Sequence, residues 1–187
     1  MIKEVCKSSI ITMALITLVG CAGNSLSAEA KQKINSNTGF RASHVSVTVV
    51  KNPFINEDEK HALYRSTTEL SQLLKTSLQQ QFINSHMDCK THTPCLDVDI
   101  QLDYGRTFVM ASNMLDTPSI ALVTTLRKQN TNVHSWKESN LVLSRGTMNG
   151  LLTQTNIGSS KVDREQEASD VRSIAKEITL RINKLTH

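Results

Sequence analysis

The stretch Leu96-Asp97-Val98-Asp99-Ile100-Gln101-Leu102-Asp103 decides the fold. Four branched apolar residues alternate strictly with three carboxylates and an amide, the period of a strand with one face on a core and one face in water. A half-buried strand needs neighbours on its edges and a covering layer on its apolar face. The rest of the chain has to supply both.

Strands follow on the C-terminal side. Gly105 reads as a bulge before pairing resumes through Phe108 and Met110. Ile120 to Lys128 predicts a third strand, Gln129-Asn130-Thr131-Asn132 a polar hairpin connection, and Val133 through Trp136 to Leu143 a fourth strand ending near Gly146. Short polar connections between consecutive strands predict an antiparallel meander. Residues 147 to 163, with Gly150, Gly158, Ser159 and Ser160, read as an irregular loop.

Helical periods flank this block. Asn56 stands three residues before Glu59, a capping-box spacing, and Leu63, Leu70, Leu73, Leu74, Leu78 and Phe82 form one stripe, so a helix is predicted from there to about Ser85. At the other end Ala168, Val171, Ile174, Ala175, Ile178, Ile182 and Leu185 recur every three or four residues, predicting a helix from about Arg164 to Leu185. Ahead of the first helix, Val45, Val47 and Val49 alternate with Ser46 and Thr48 in a strand that Pro53 ends. The expectation is an α+β two-layer sandwich in the order βαβββα: a mostly antiparallel sheet with two helices on one face.

The chain outside this unit is of a different kind. Residues 22 to 43 are polar and aperiodic and read as a tether, spanning roughly 25 to 30 Å as a flexible coil. Before them, Lys3 and Lys7 precede an apolar run from Ile10 to Gly20 that is far shorter than the roughly 20 residues of a membrane-spanning helix. A basic start and a short apolar run are the pattern of a secretory signal.

That run closes on Leu18-Val19-Gly20-Cys21, which resembles the lipobox of bacterial lipoprotein signal peptides. The resemblance implies cleavage before Cys21, a diacylglycerol on its sulfur and an acyl chain on its new amino group. Ala22 in the next position resembles the pattern that permits sorting to the outer membrane. Each buried CH2 contributes about 0.8 kcal/mol, and a second chain makes anchoring stable. The expected organisation is therefore a signal peptide over residues 1–20, a lipidated tether over 21–43 and a single α+β periplasmic domain over 44–187.

The order of elements carries a second likeness. A lipobox cysteine, a valine-rich strand, a helix containing Leu70-Ser71-Gln72-Leu73-Leu74-Lys75-Thr76-Ser77-Leu78-Gln79-Gln80-Gln81 and the alternating strand from Leu96 to Leu102 resemble the YajG-type family of small bacterial lipoproteins. The layout is also similar to sheet-and-helix domains of periplasmic assembly lipoproteins and of the TolB amino-terminal domain. The likeness implies fold and location and brings no active site with it.

Charge and composition narrow the function. After the signal, Lys and Arg fall from 21 to 19 and Asp and Glu from 17 to 16, leaving a net charge of +3. With one Trp, two Tyr and four Phe and no basic cluster, the chain lacks the stacking platforms and charged face of a nucleic-acid binder.

Loss of Cys6 with the signal and acylation of Cys21 leave Cys89 and Cys95, and export to an oxidising compartment favours a disulfide between them. The chain-entropy model gives about 2 to 2.5 kcal/mol for so short a loop. The alternative is a metal site built on His86, Cys89, His92 and Cys95, the one cluster of soft ligands. Asp97, Asp99 and Asp103 share a strand face and read as solvated rather than as a calcium site.

No Gly-x-Ser-x-Gly elbow and no phosphate-cradling glycine loop occurs. His44, His61 and His134 read as surface or edge residues. Trp136 reads as core or edge packing, with ligand stacking as the alternative. The expectation is a non-enzymatic binding or assembly protein without a cofactor, held to the membrane by lipid and docking an envelope protein. The alternative is a subunit or accessory of a secretion or surface-assembly complex, several copies combining through sheet edges or helices.

Overall fold

The computed structural model describes residues 34–50, 64–90, 93–107, 115–141, 143 and 160–187. The lipobox and Cys21, the tether as far as residue 33, Asn56 and Glu59, His61, His92, and Phe108 with Met110 lie outside them. The described elements are β1 (Gly39–Val50), α1 (Thr67–Asn84), β2 (Cys95–Gly105), β3 (Ser119–Lys128), β4 (Thr131–Ser139) and α2 (Ser160–Thr186). They form one α+β unit in the expected order. Its four-stranded sheet runs β1-β2-β3-β4, parallel between β1 and β2 and antiparallel across the other two pairs.

β2 sits in the middle of the sheet and behaves as its alternation predicts. Leu96, Val98, Ile100, Leu102 and Tyr104 are all buried, and their neighbours in β3, namely Ile120, Leu122, Thr124 and Leu126, are buried on the same face. Fully burying a leucine or isoleucine contributes roughly 1.5 to 3 kcal/mol, so this row is the main source of stability. Against it lie Leu70, Leu74, Leu78 and Phe82 of α1 and Val171, Ile174, Ala175, Ile178 and Ile182 of α2.

The opposite sheet face carries the carboxylates. Arg41 binds Asp97 at 2.6 Å, and Arg127 pairs with Asp99, whose other oxygen accepts the His44 backbone N–H at 3.1 Å. Two of the three aspartates are thus taken up by arginines.

Several boundaries differ from the sequence reading. β1 starts at Gly39 rather than Val45, and Ile34, Phe40 and Ala42 are buried with the core, so residues 34–43 belong to the folded unit and not to a tether. Its register slips between Ala42 and Val45, where β1 spends one residue more than β2. This bulge changes the parity, so that Phe40 and Ala42 before it and Val45, Val47 and Val49 after it face the same way.

The helix α1 starts at Thr67. Ser66 is its N-cap in a complete capping box: its hydroxyl accepts the Glu69 N–H, and Glu69 accepts the Ser66 N–H. A continuous helix from Asn56 is therefore not present across residues 64–66. Gly105, in turn, is the last paired residue of β2 rather than a bulge. A Cβ there would lie 2.0 Å from Ser119 Oγ, so a larger residue would force the Ser119 hydroxyl to turn away.

The turn between β3 and β4 is the two-residue Gln129-Asn130, both at positive φ (46° and 68°), which matches the twist of a tight hairpin. β4 ends at Ser139, short of Leu143; Asn140 at φ 60° breaks the ladder, and the Leu141 N–H still donates to the Ile120 carbonyl at 3.1 Å. The helix α2 begins at Ser160, four residues earlier than its apolar period suggests.

Candidate functional site

Each end of α2 holds an arginine against a glutamate. At the N-terminal end Glu167 is fully buried, and its two oxygens accept the Arg106 Nε–H at 2.7 Å and the Arg65 backbone N–H at 2.6 Å. Arg106 also donates to the Arg65 carbonyl and lies 4.9 Å over the Tyr64 ring. Arg164 donates to the Tyr64 carbonyl and pairs with Glu69, while the Tyr104 hydroxyl and Gln166 amide donate to Asp170.

Burial pushes the Glu167 carboxyl up, opposed by the Arg65 N–H and the Arg106 guanidinium. The contacts join the end of β2, the entry to α1 and the start of α2. Every charge named there faces a partner, which makes the cluster a lock rather than a site of chemistry.

The C-terminal end is built on β4. Its inward positions are His134, Trp136 and Glu138, opposite Leu126, Thr124 and Leu122. One oxygen, Glu138 Oε1, accepts the Trp136 indole N–H at 2.9 Å and pairs with Arg181 of α2 at 2.9 Å. Arg181 Nε also donates to Glu177 at 3.2 Å, one turn earlier. The His134 and Trp136 rings stack with centroids 5.7 Å apart and planes 30° apart.

Above these groups opens a cavity of about 320 Å³ lined by His134, Trp136, Glu177, Arg181, Lys184 and Leu185. Trp136 is 7% exposed and Glu138 9%, yet Glu138 Oε2 and the Thr124 hydroxyl beside them have no hydrogen-bond partner. Burial pushes the His134 imidazole below its ordinary value, so it is neutral near pH 7. Lys184 has no ion-pair partner among the described residues.

A second, wider cavity of about 590 Å³ follows the β1 bulge, between Ser43, His44 and Ser46 and the α1 side chains Ser71, Gln72 and Lys75. Of its wall, Ser71 Oγ accepts the Val47 N–H, and Gln79 of the same helix accepts the Ala42 N–H, two bonds that cover part of the edge of β1.

The predicted site residues sort accordingly. Cys89 and Cys95 are bonded to each other with Cα atoms 5.2 Å apart, so the metal alternative loses its two thiolates. Their loop is pinned to β1: Phe40 N–H donates to the Met87 carbonyl and Gly39 N–H to the Pro94 carbonyl. His86 is exposed at φ 53°, and among the described residues no three His, Cys, Asp or Glu side chains converge on a common point.

His134, read as a surface or edge residue, and Trp136, read as core or edge packing, are brought together with Arg181, Glu177 and Lys184 from more than forty positions away. The sequence held one signal of this. His134 and Glu138 put ionisable groups on the inward face of β4, where β1 and β2 put apolar ones.

No family model matches the chain, and no curated protein matches it. Among solved structures it is similar to one from Helicobacter pylori described as a "putative neuraminyllactose-binding hemagglutinin homolog". That match has a TM-score of 0.42 and 13% identity, covering 82% of this chain and 89% of that one. Agreement at this level assigns neither ligand nor activity to the chain.

Proposed function

We propose that the chain is a lipid-anchored protein of the bacterial envelope, held by Cys21 on the periplasmic side of the outer membrane, whose domain is a non-enzymatic binding unit. Support for the location is the stretch Leu18-Val19-Gly20-Cys21 behind a basic and then apolar start. Among the described helices none is long and apolar enough to cross a membrane, so nothing in them competes with lipid as the anchor.

The observation that carries the binding role is the double use of Glu138 Oε1. A single buried oxygen fixes an indole and a guanidinium on the wall of an open cavity, and a preorganised aromatic beside a fixed charge is how binding sites reduce the ordering cost of association.

A second reading, a subunit of an envelope assembly, is favoured by one feature. Among the described residues β4 pairs with β3 on one side only, and no described strand pairs with its other edge, the kind of edge an added strand could extend.

The anchor is tested by Cys21→Ser. Cells expressing it are expected to release the protein or to accumulate the uncleaved precursor, and radiolabelled palmitate should no longer be incorporated. Unchanged membrane fractionation and labelling would defeat the anchor. A mature chain eluting as a defined oligomer that a β4-edge proline disperses would favour the assembly reading over an independent binding unit.

A further inference from the structure

We infer that the exposed face of α2 is a docking surface for anionic phospholipid headgroups, those of the membrane to which Cys21 would hold the chain. The inference rests on the reading of Cys21 as an anchor only for which membrane is met; the contact itself belongs to the helix.

Alternating sign is the ordinary pattern of a solvated helix face. From Ala168 to His187 the exposed positions of α2 and its last residue are instead Arg172, Lys176, Leu180, Asn183, Lys184 and His187, with no side-chain carboxylate among them. Among the described residues its one exposed carboxylate is Glu165, two turns before Arg172. No Asp or Glu stands three or four positions from Arg172, Lys176 or Lys184, and none of the three has a partner among the described residues.

Arg172 and Lys176, at i and i+4, repel each other in the free protein. A cation in the last turn has a use against the helix dipole, which covers Lys184. Arg172 and Lys176 lie more than two turns inside the helix, beyond the reach of that effect.

Leu180, 45% exposed, stands one turn from Lys176 and one from Lys184 on the same stripe. The apolar side of α2 is taken up by the core, so this face rests on headgroups and does not enter the acyl layer. Twelve residues of helix measure about 18 Å, so the three cations meet one lipid surface together.

Charge elsewhere favours the same orientation. The exposed positions of α1, in the same layer, add Lys75 and no carboxylate, and Glu69 is paired with Arg164. Asp97, Asp99 and Asp103 stand on the opposite face of the sheet. A positive helical layer backed by carboxylates aligns the domain over a negative surface.

The entry of the chain agrees. Lys184 and Leu185 lie by His134, which is level with Leu126 and Val98, and the chain enters at Gly39 beside Cys95, only about 10 Å further along the sheet. Between Cys21 and Ile34 the chain can reach at most about 45 Å, so an anchor there keeps this end of the domain close to the lipid.

The experiment uses the mature chain from residue 21 with Cys21→Ser, so that no acyl group holds it. It is sedimented with vesicles of phosphatidylcholine alone and with vesicles containing about one third phosphatidylglycerol. Binding to the anionic vesicles alone is expected, and its loss at about 0.5 M salt. Arg172→Ala, Lys176→Ala and Lys184→Ala should each weaken partition about 5-fold, and the triple variant roughly 100-fold, with the far-ultraviolet dichroism of the wild type. Lys137→Ala, exposed on the opposite face of the sheet, should leave partition unchanged.

Equal binding to both vesicles overturns the proposal, and so does a loss in Lys137→Ala as large as in the helix variants, which would make net charge the cause. Folded protein that binds neither vesicle overturns it too and leaves the stripe to an acidic protein surface. Neither result touches the anchor, which fractionation of the Cys21→Ser cells judges separately.

Discussion

The two ends of α2 carry the same contact, an arginine on a glutamate, and differ in what surrounds it. At the N-terminal end both oxygens of Glu167 are bonded, Arg106 has a glutamate, a carbonyl and a ring about it, and both side chains are buried. At the C-terminal end Glu138 uses one oxygen twice and leaves the other without a partner, beneath a cavity of about 320 Å³. Ion pairs closed on all sides specify a geometry, and those closed on one side hold side chains ready for something else.

The contrast is open to test, and the largest effect belongs to the closed end. Glu167→Ala leaves Arg106 buried without its carboxylate, and a loss of about 3 to 5 kcal/mol in urea unfolding is expected. A loss under 1 kcal/mol would show that water reaches Arg106 and that the two ends are alike.

Arg181→Ala should cost less, about 1 to 3 kcal/mol, because Glu138 can be hydrated through the open cavity. Equal losses at the two ends would remove the distinction.

Next comes Ser66→Ala, which removes one half of the capping box beside the lock and is expected to cost about 1 kcal/mol. The other half has a pH signature. The Ser66 backbone N–H, with help from Arg164, holds the Glu69 carboxyl below its ordinary range, despite some opposing desolvation. A depressed carboxyl contributes stability that is present above the ordinary carboxylate range and lost as pH falls through its folded value. Wild type should therefore lose its advantage over Glu69→Gln on acidification. A constant difference across that window would detach the cap from the lock.

Smallest is Lys184→Ala, expected within about 0.5 kcal/mol of wild type in unfolding, since that side chain is exposed. Its effect belongs in lipid binding. A large loss of stability instead would place Lys184 in the scaffold.

Much of the scaffold was legible because it rests on single-element periods. Leu96 to Leu102 alternate and are buried in alternation, and Val171 to Ile182 recur at helical spacing and meet the core. The start of β1 was hidden because the bulge between Ala42 and Val45 shifts the parity: read without it, Phe40 and Ala42 point to the wrong face.

The start of α1 was ambiguous for a different reason. Asn56-x-x-Glu59 and Ser66-x-x-Glu69 carry the same signature ten residues apart, and what marks Ser66 is the hold of Arg106, Arg164 and Glu167 on Tyr64 and Arg65, a contact between distant segments.

The cleft lay further from view. Trp136 was readable as buried, but its partners come from α2, and no spacing within one element announces a glutamate oxygen shared between a tryptophan and an arginine. The pairing of Cys89 with Cys95 was legible from compartment and count alone, and the structure joins them.

The parallel pairing of β1 with β2 has a mechanical consequence. Chain N-terminal to Gly39 enters the sheet beside Cys95, where Gly39 donates to the Pro94 carbonyl and the disulfide closes the loop that holds Phe40. For a protein held by a tether at that end, tension along β1 slides it against β2, so the ladder from Gly39 to Val50 is loaded in shear with its bonds sharing the force. The same strand pulled from its other end and across the sheet would peel off one bond at a time. Rupture under load follows the unfolding rate rather than the equilibrium, so with the proposed anchor at Cys21 this strand would resist pulling for longer than its edge position alone suggests.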